Sequence, residues 1–158
     1  EVKLEYKSLD SNPCYGECSE LVASLGLKLV ELDIVPAKTV TKISAVVASS
    51  DPAVDIGVAD VAKAHRALAP KLMALLNKTE DDISMEVCSP GIERNIRNAA
   101  EFSIFEGRQV RVWDRNISDW TTGVIKASTR SEVTLTLEDG SEKTFAYDDI
   151  AKAKFIHI

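Results

Sequence analysis

Glu86-Val-Cys-Ser-Pro-Gly-Ile-Glu-Arg-Asn-Ile96 is where the chain changes character. A β-type run enters it, because Ile83-Ser-Met-Glu-Val-Cys88 alternates apolar and polar residues in the manner of a half-buried strand. Ser89-Pro90-Gly91 stops that run. Pro90 has no amide N–H and turns Ser89 away from helical backbone, and Gly91 is free to take a positive φ. Beyond it, Glu93 and Arg94 set opposite charges between Ile92 and Ile96, which suits a connector packed on one side and wet on the other. A Pro-Gly pair also ends many ordinary strands. What favours a hinge is the sequence on either side, so the expected organisation is a domain over residues 1–89, a hinge over 90–97 built on Ser89, Pro90, Gly91, Ile92 and Glu93, and a second domain over 98–158.

Upstream, residues 14–25 have helical spacing through Leu21, Val22 and Leu25, and Gly26 supplies the stop. A strand follows from Leu27 to Ile34, ended by Pro36, and Ile43 to Ala48 forms a second strand after a hairpin connection. Gly57 to Asn77 is the longest helical pattern, with Val58, Val61, His65, Leu68, Leu72 and Leu75 along one stripe. Pro70 lies inside it and predicts a kink, or a short second helix starting there. His65, on the apolar stripe with no acid or nucleophile near it, is expected to be a partly buried core residue. Helix, two strands, helix, strand gives a small sheet with both helices on one face.

Downstream the pattern is almost entirely β. A helical turn or two over residues 99–105 stops at Gly107, and strands follow over 108–113, 121–128, 132–138, 143–147 and 152–158. Asp139-Gly140 is a tight-turn pair, and Asp148-Asp-Ile150 suggests a short helical turn before the last strand. Five short strands with this order of turns predict a barrel. The fold class expected is therefore α+β: an N-terminal three-stranded sheet with two helices, then a C-terminal small SH3-like or Sm-like β-barrel.

Composition narrows the chemistry. Cys14, Cys18 and Cys88 are an odd, scattered set, which argues for a reducing compartment and a cytoplasmic protein; no ligand partners surround them at metal spacing. No run of 18 apolar residues and no secretory signal pattern is present, so no membrane partner is expected. The formal charge is −6, and it divides unevenly: residues 1–89 hold 9 Lys/Arg against 14 Asp/Glu, net −5, whereas residues 90–158 hold 10 against 11, net −1. Non-specific nucleic-acid affinity comes from neutralising phosphates, so the acidic half suits a basic protein better. With two histidines, no Gly-rich phosphate loop and no converging carboxylate pair, an enzyme is not expected, and neither is a cofactor or metal.

Arg94, Arg97, Arg108, Arg111 and Arg115 crowd around the hinge and the first strand after it, close to Trp113 and Trp120. Guanidinium forks suit phosphate or carboxylate, and indoles stack on bases or anchor protein partners. Arg94, Arg97, Arg108, Arg111, Trp113 and Arg115 are accordingly the candidate binding residues. The alternative is that the arginines are ordinary solvent-face residues and Trp113 fills the barrel.

The run Cys88-Ser-Pro-Gly-Ile-Glu-Arg-Asn-Ile96 resembles the signature of the RimP family of bacterial ribosome maturation factors, which carries a Ser-Ser-Pro-Gly-Leu-Asp-Arg-Pro-Leu-like sequence there. Leu27-Lys-Leu-Val-Glu-Leu-Asp33 is similar to the family's first strand, Ala59 to Leu68 to its second helix, and Phe105-Glu-Gly-Arg-Gln-Val-Arg-Val112 to the entry of its second domain. The departures are Cys88 for Ser, Ile92 for Leu, Glu93 for Asp and Asn95 for Pro; losing that proline makes a less stiff connector. The resemblance implies a non-enzymatic, monomeric factor that binds the small (30S) ribosomal subunit and assists its assembly. Its implied partners are 16S rRNA and a basic small-subunit ribosomal protein near the decoding centre. Without the resemblance, the residues lead to a general RNA- or peptide-binding module that grips through Arg108, Arg111, Trp113 and Trp120.

Overall fold

A computed structural model describes residues 4–91 and 93–156, with only the backbone of Glu93. Two compact units result. One is Leu9–Pro90; the other is Gly91 onward together with residues 4–8.

In the first unit, α1 (Tyr15–Ala23) leads into the hairpin of β1 (Leu27–Val35) and β2 (Thr41–Ser49). Gly26 turns the chain between α1 and β1 at φ +79°, a conformation that costs glycine little. α2 (Val58–Leu76) then carries the chain to β3 (Ile83–Cys88). The sheet order is β1-β2-β3, antiparallel between β1 and β2 and parallel between β2 and β3. Parallel neighbours need a crossover, and α2 is that crossover. The central strand sends Ile43, Ala45 and Val47 into a core shared with Cys18 and Val22 of α1 and with Ala64, Leu68 and Leu72 of α2. Both helices therefore lie on one face of the sheet. Burying each Leu or Val side chain contributes about 1.5–3 kcal/mol, which is what holds the helices down.

Two local expectations change. α2 runs unbroken through Pro70, so no second helix starts there. Pro70 and Arg66 are both exposed, so the carbonyl deprived of its N–H partner lies on the wet side, where water can satisfy it. Val58, expected on the buried stripe, is 88% exposed, because it is the first residue of α2 and the helix packs only from Ala64 onward. His65 is half-buried as expected, and its Nε2 lies 3.3 Å from the Met85 carbonyl oxygen of β3.

The second unit contains β4 (Glu93–Asn95), α3 (Glu101–Ile104), β5 (Gln109–Asp114), β6 (Asp119–Ser128), β7 (Glu132–Thr136), β8 (Glu142–Ala146) and β9 (Ile150–Ile156). They form one antiparallel sheet in the order β4-β9-β5-β6-β7-β8. The α+β class is as expected, with six strands here rather than five. A closed barrel is not formed: β4 and β8 end the sheet, and no ladder joins them among the described residues. The additional strand, β4, falls inside the stretch expected to be hinge, where three polar residues gave no periodic signal.

The inner face of this sheet is apolar. Val110, Val112, Ile125, Val133, Leu135, Ile150 and Phe155 are buried there with Phe102 of α3 and with Phe105, which stacks on Phe155 at 4.8 Å. Register shifts at Val112/Asp114 and Ile125/Ala127 mark bulges, which bend strands and increase twist. Gly123 is required where β6 crosses β7, since a Cβ there would sit 2.9 Å from the Thr136 carbonyl oxygen. Residues 4–8 are tied to this unit by a reciprocal pair: Asn98 Nδ2 donates to Lys7 O and Lys7 N–H donates to Asn98 Oδ1, each at 2.9 Å. Tyr6 also stacks on Tyr147.

Gly91 has φ +81°, the positive value its position called for. Ile92 of the expected hinge lies outside the described residues, as does His157.

Candidate functional site

The alternation of a strand decides where each candidate arginine or tryptophan points. In β5, Val110, Val112 and Asp114 are buried on the inner face, which leaves Gln109, Arg111 and Trp113 on the outer face. In β9, Ala153 and Phe155 point inward, and Lys152 and Lys154 point outward.

Register then assembles the outer face. Arg111 is directly opposite Lys154 of β9 on one side and Thr122 of β6 on the other, and Lys154 is opposite Asn95 of β4. Two residues along β5, Trp113 is opposite Trp120, and the two rings meet edge to face at 5.5 Å. Trp120 carries two cations: the Arg111 guanidinium lies 4.6 Å from its ring centroid and Lys152 Nζ 5.4 Å. Such cation–π contacts contribute roughly 0.5–2 kcal/mol and hold long side chains in place. Among the described residues Arg111 Nε has no hydrogen-bond partner, so the indole face is what holds the guanidinium.

Beside this stack lies a groove of about 530 Å³, lined by Asn95, Arg97, Lys152 and Lys154 with Leu4, Ile96, Ala151 and Ala153. Among the described residues its lining contains three cations and no carboxylate.

The structure separates the sequence candidates. Arg111 and Trp113 share the outer face with Trp120, and Arg97 lines the groove. Arg94 is elsewhere: it is on the inner side of β4, 8% exposed, and its Nε and Nη2 donate to Glu101 Oε1 and Oε2 at 2.8 and 3.2 Å. Glu101, 2% exposed, also accepts the backbone N–H groups of Arg97 and Asn98. This bidentate pair fastens β4 to α3. Arg108 lies over the Phe155 ring at 5.6 Å, against a residue of the inner face. Arg115 follows the end of β5, half-buried, its backbone N–H bonded to Asp149 O at 2.9 Å.

Lys152, Lys154 and Asn95 were not singled out by sequence. The signal was present in Lys152-Ala-Lys-Phe155, where lysines alternate with apolar residues, but its value depends on β9 lying beside β5.

Elsewhere, burial suppresses reactivity. Cys18 sits in the first unit's core, and burial pushes its thiol up to about 11; Cys14 is raised for the same reason, with Glu17 adding to it. Burial likewise pushes the Tyr147 phenol up to about 12, and its hydroxyl donates to Thr129 O at 2.5 Å.

The chain thus joins an acidic α+β unit to a β unit whose outer face carries Arg111, Lys152 and Lys154 beside two indoles. The family model described as RimP N-terminal domain matches residues 17–93, which is most of the first unit. Ribosome maturation factor RimP of Borrelia hermsii is 28% identical over 149 residues, covering 94% of this chain and 97% of its own length. The proteins of the same name from Borrelia turicatae and from Borrelia garinii subsp. bavariensis are 28% and 27% identical over 94% and 92% of the chain. These similarities run through both units, so the chain resembles the ribosome maturation factors of the RimP family along nearly its whole length.

Proposed function

We propose that this protein acts in ribosome maturation by binding the small (30S) ribosomal subunit and assisting its assembly, as a binding factor rather than a catalyst. The observation that carries this reading is the likeness to ribosome maturation factors along both units rather than one. The chemistry of the two units supports it. Residues 9–90 hold 7 Lys/Arg against 12 Asp/Glu, net −5, a balance that attracts a basic small-subunit ribosomal protein near the decoding centre. The second unit offers its outer face, through Arg111, Trp113 and Trp120, to 16S rRNA. A general RNA- or peptide-binding module remains the second reading, favoured by the same outer face taken alone.

The two readings separate in cells. Tagged protein recovered from growing cells should carry 16S rRNA and its precursors in clear excess over large-subunit rRNA. Equal recovery of both rRNAs, in proportion to their abundance, would favour the general module.

A further inference from the structure

An edge strand carries a row of backbone N–H and C=O groups with no ladder partner, and proteins blunt such edges by shortness, by bulges or by charges turned inward. Among the described residues the two sheets leave four edges, β1, β3, β4 and β8, and three of them are blunted. β4 is three residues long, and β1 has a register shift between Leu29 and Glu31. β8 turns Lys143 inward, where its Nζ meets Asp114 Oδ2 at 3.0 Å and lies 5.0 Å from the Phe145 ring centroid. β3 has none of these guards. It pairs with β2 in unbroken register and contains no lysine, proline or bulge. Among the described residues, no further strand or backbone group pairs with Ile83 to Val87.

The side chains along β3 decide what can lie beside it. Ile83, Met85 and Val87 are half-buried against the first unit's core, whereas Ser84 and Glu86 are exposed on the other face. α2 walls the apolar side, with His65 Nε2 3.3 Å from the Met85 carbonyl oxygen. A chain laid along this edge therefore sets every second side chain beside Ile83, Met85 and Val87, and the others beside Glu86. Glu86 is exposed and without an ion pair among the described residues, as are Glu80 and Asp81 in the turn before the strand. Within a unit of net −5, these carboxylates call for cations on the incoming chain.

We propose that the outer edge of β3 takes up an extended segment of a partner protein by strand addition, a segment in which apolar residues alternate with Lys or Arg. Backbone bonds to β3 supply affinity, and the alternate side chains choose the partner, apolar beside Met85 and basic beside Glu86. A second copy of this chain fits worse, since it would set two units of net −5 side by side. This deepens the reading of the acidic unit as the place where a basic protein docks, and rests on it, but it is testable without ribosomes.

The full-length protein is titrated against a fluorescein-labelled heptapeptide of alternating valine and lysine at about 0.15 M salt, where long-range attraction is screened. N-methylating one alternate set of the peptide's amides should weaken binding by roughly a hundredfold, since about three hydrogen bonds of roughly fivefold each are lost. Methylating the other set, which points away from β3, should change it by less than about twofold. Glu86→Lys should weaken binding by about tenfold, whereas Glu20→Lys, the same charge change at an exposed position of α1, should weaken it by less than about twofold. The methylated peptides need no variant, so they decide the matter even if Glu86→Lys fails to fold. The proposal is overturned if both methylated peptides bind as tightly as the parent, if a valine–glutamate heptapeptide binds equally well, or if no binding is seen at about 1 mM peptide. A dimer in solution that the peptide dissociates would assign the edge to a second copy and overturn it too. Failure of the ribosomal reading looks different: the peptide would still bind with this methylation pattern while small subunits would not bind.

Discussion

The Arg94–Glu101 pair offers the sharpest test of how this chain uses its arginines. If Arg94 is an internal fastener, Glu101→Ala should damage the second unit's stability. The carboxylate accepts two N–H bonds from Arg94 and one each from the Arg97 and Asn98 backbones. Removing it leaves a guanidinium 8% exposed without its counter-charge. Breaking one side of a buried ion pair costs about 3–5 kcal/mol, a large part of the 5–15 kcal/mol that a domain typically has. Both tryptophans of the chain, Trp113 and Trp120, lie in this unit, so indole fluorescence during urea unfolding reports it alone. With a urea slope of about 1–1.5 kcal/mol per molar for a unit this small, the midpoint should fall by roughly 2–5 M, or the unit should not fold at all. Arg94→Leu combined with Glu101→Leu should be less destabilising than either change alone, because no uncompensated charge stays buried. A Glu101→Ala loss below about 1 kcal/mol, or an Arg94→Leu variant with normal stability and weakened partner binding, would refute the fastener and return Arg94 to the binding surface.

Three further outcomes follow from other parts of the molecule. Gly123→Ala should destabilise the same unit by about 1–3 kcal/mol, since the new methyl meets backbone of β7; an unchanged fluorescence-detected midpoint would mean that β6 and β7 separate freely. Tyr147 ionises near 10 when unfolded but is pushed up to about 12 by burial, so the folded unit favours the neutral phenol. Its contribution is intact below pH 10 and is lost as pH rises toward 12, on the order of 2 kcal/mol, and Tyr147→Phe should flatten that alkaline decline in urea midpoints. In native protein at pH 8, a thiol reagent should modify exposed Cys88 quickly and buried Cys14 and Cys18 only after unfolding; three equally fast thiols would contradict the core placement.

The first unit was largely legible because its signals are long and periodic. Ala64, Leu68 and Leu72 fall at four-residue steps, and the apolar run of β1 ends at a proline. What misled there was end effects: Val58 belongs to the periodic stripe but precedes the helix's contact with the sheet. In the second unit the strands were visible and their arrangement was not. β4 is three polar residues whose only reason to be extended is β9, and no local pattern announces a partner about 60 residues away. The same gap explains the site. Arginine density near the hinge picked out Arg94, which the sheet turns inward to Glu101, and passed over Lys152 and Lys154, which register sets beside Arg111. Residue type suggested the chemistry; only strand pairing determines which cations share a face.

The central claim, preference for the small subunit, is tested most directly by sedimenting the purified protein through a sucrose gradient with small subunits, large subunits and assembled ribosomes at low and moderate salt. Co-migration with small subunits at both salts, and not with large subunits or assembled ribosomes, is the expected result. Equal migration with all three particles, or with none, would contradict it.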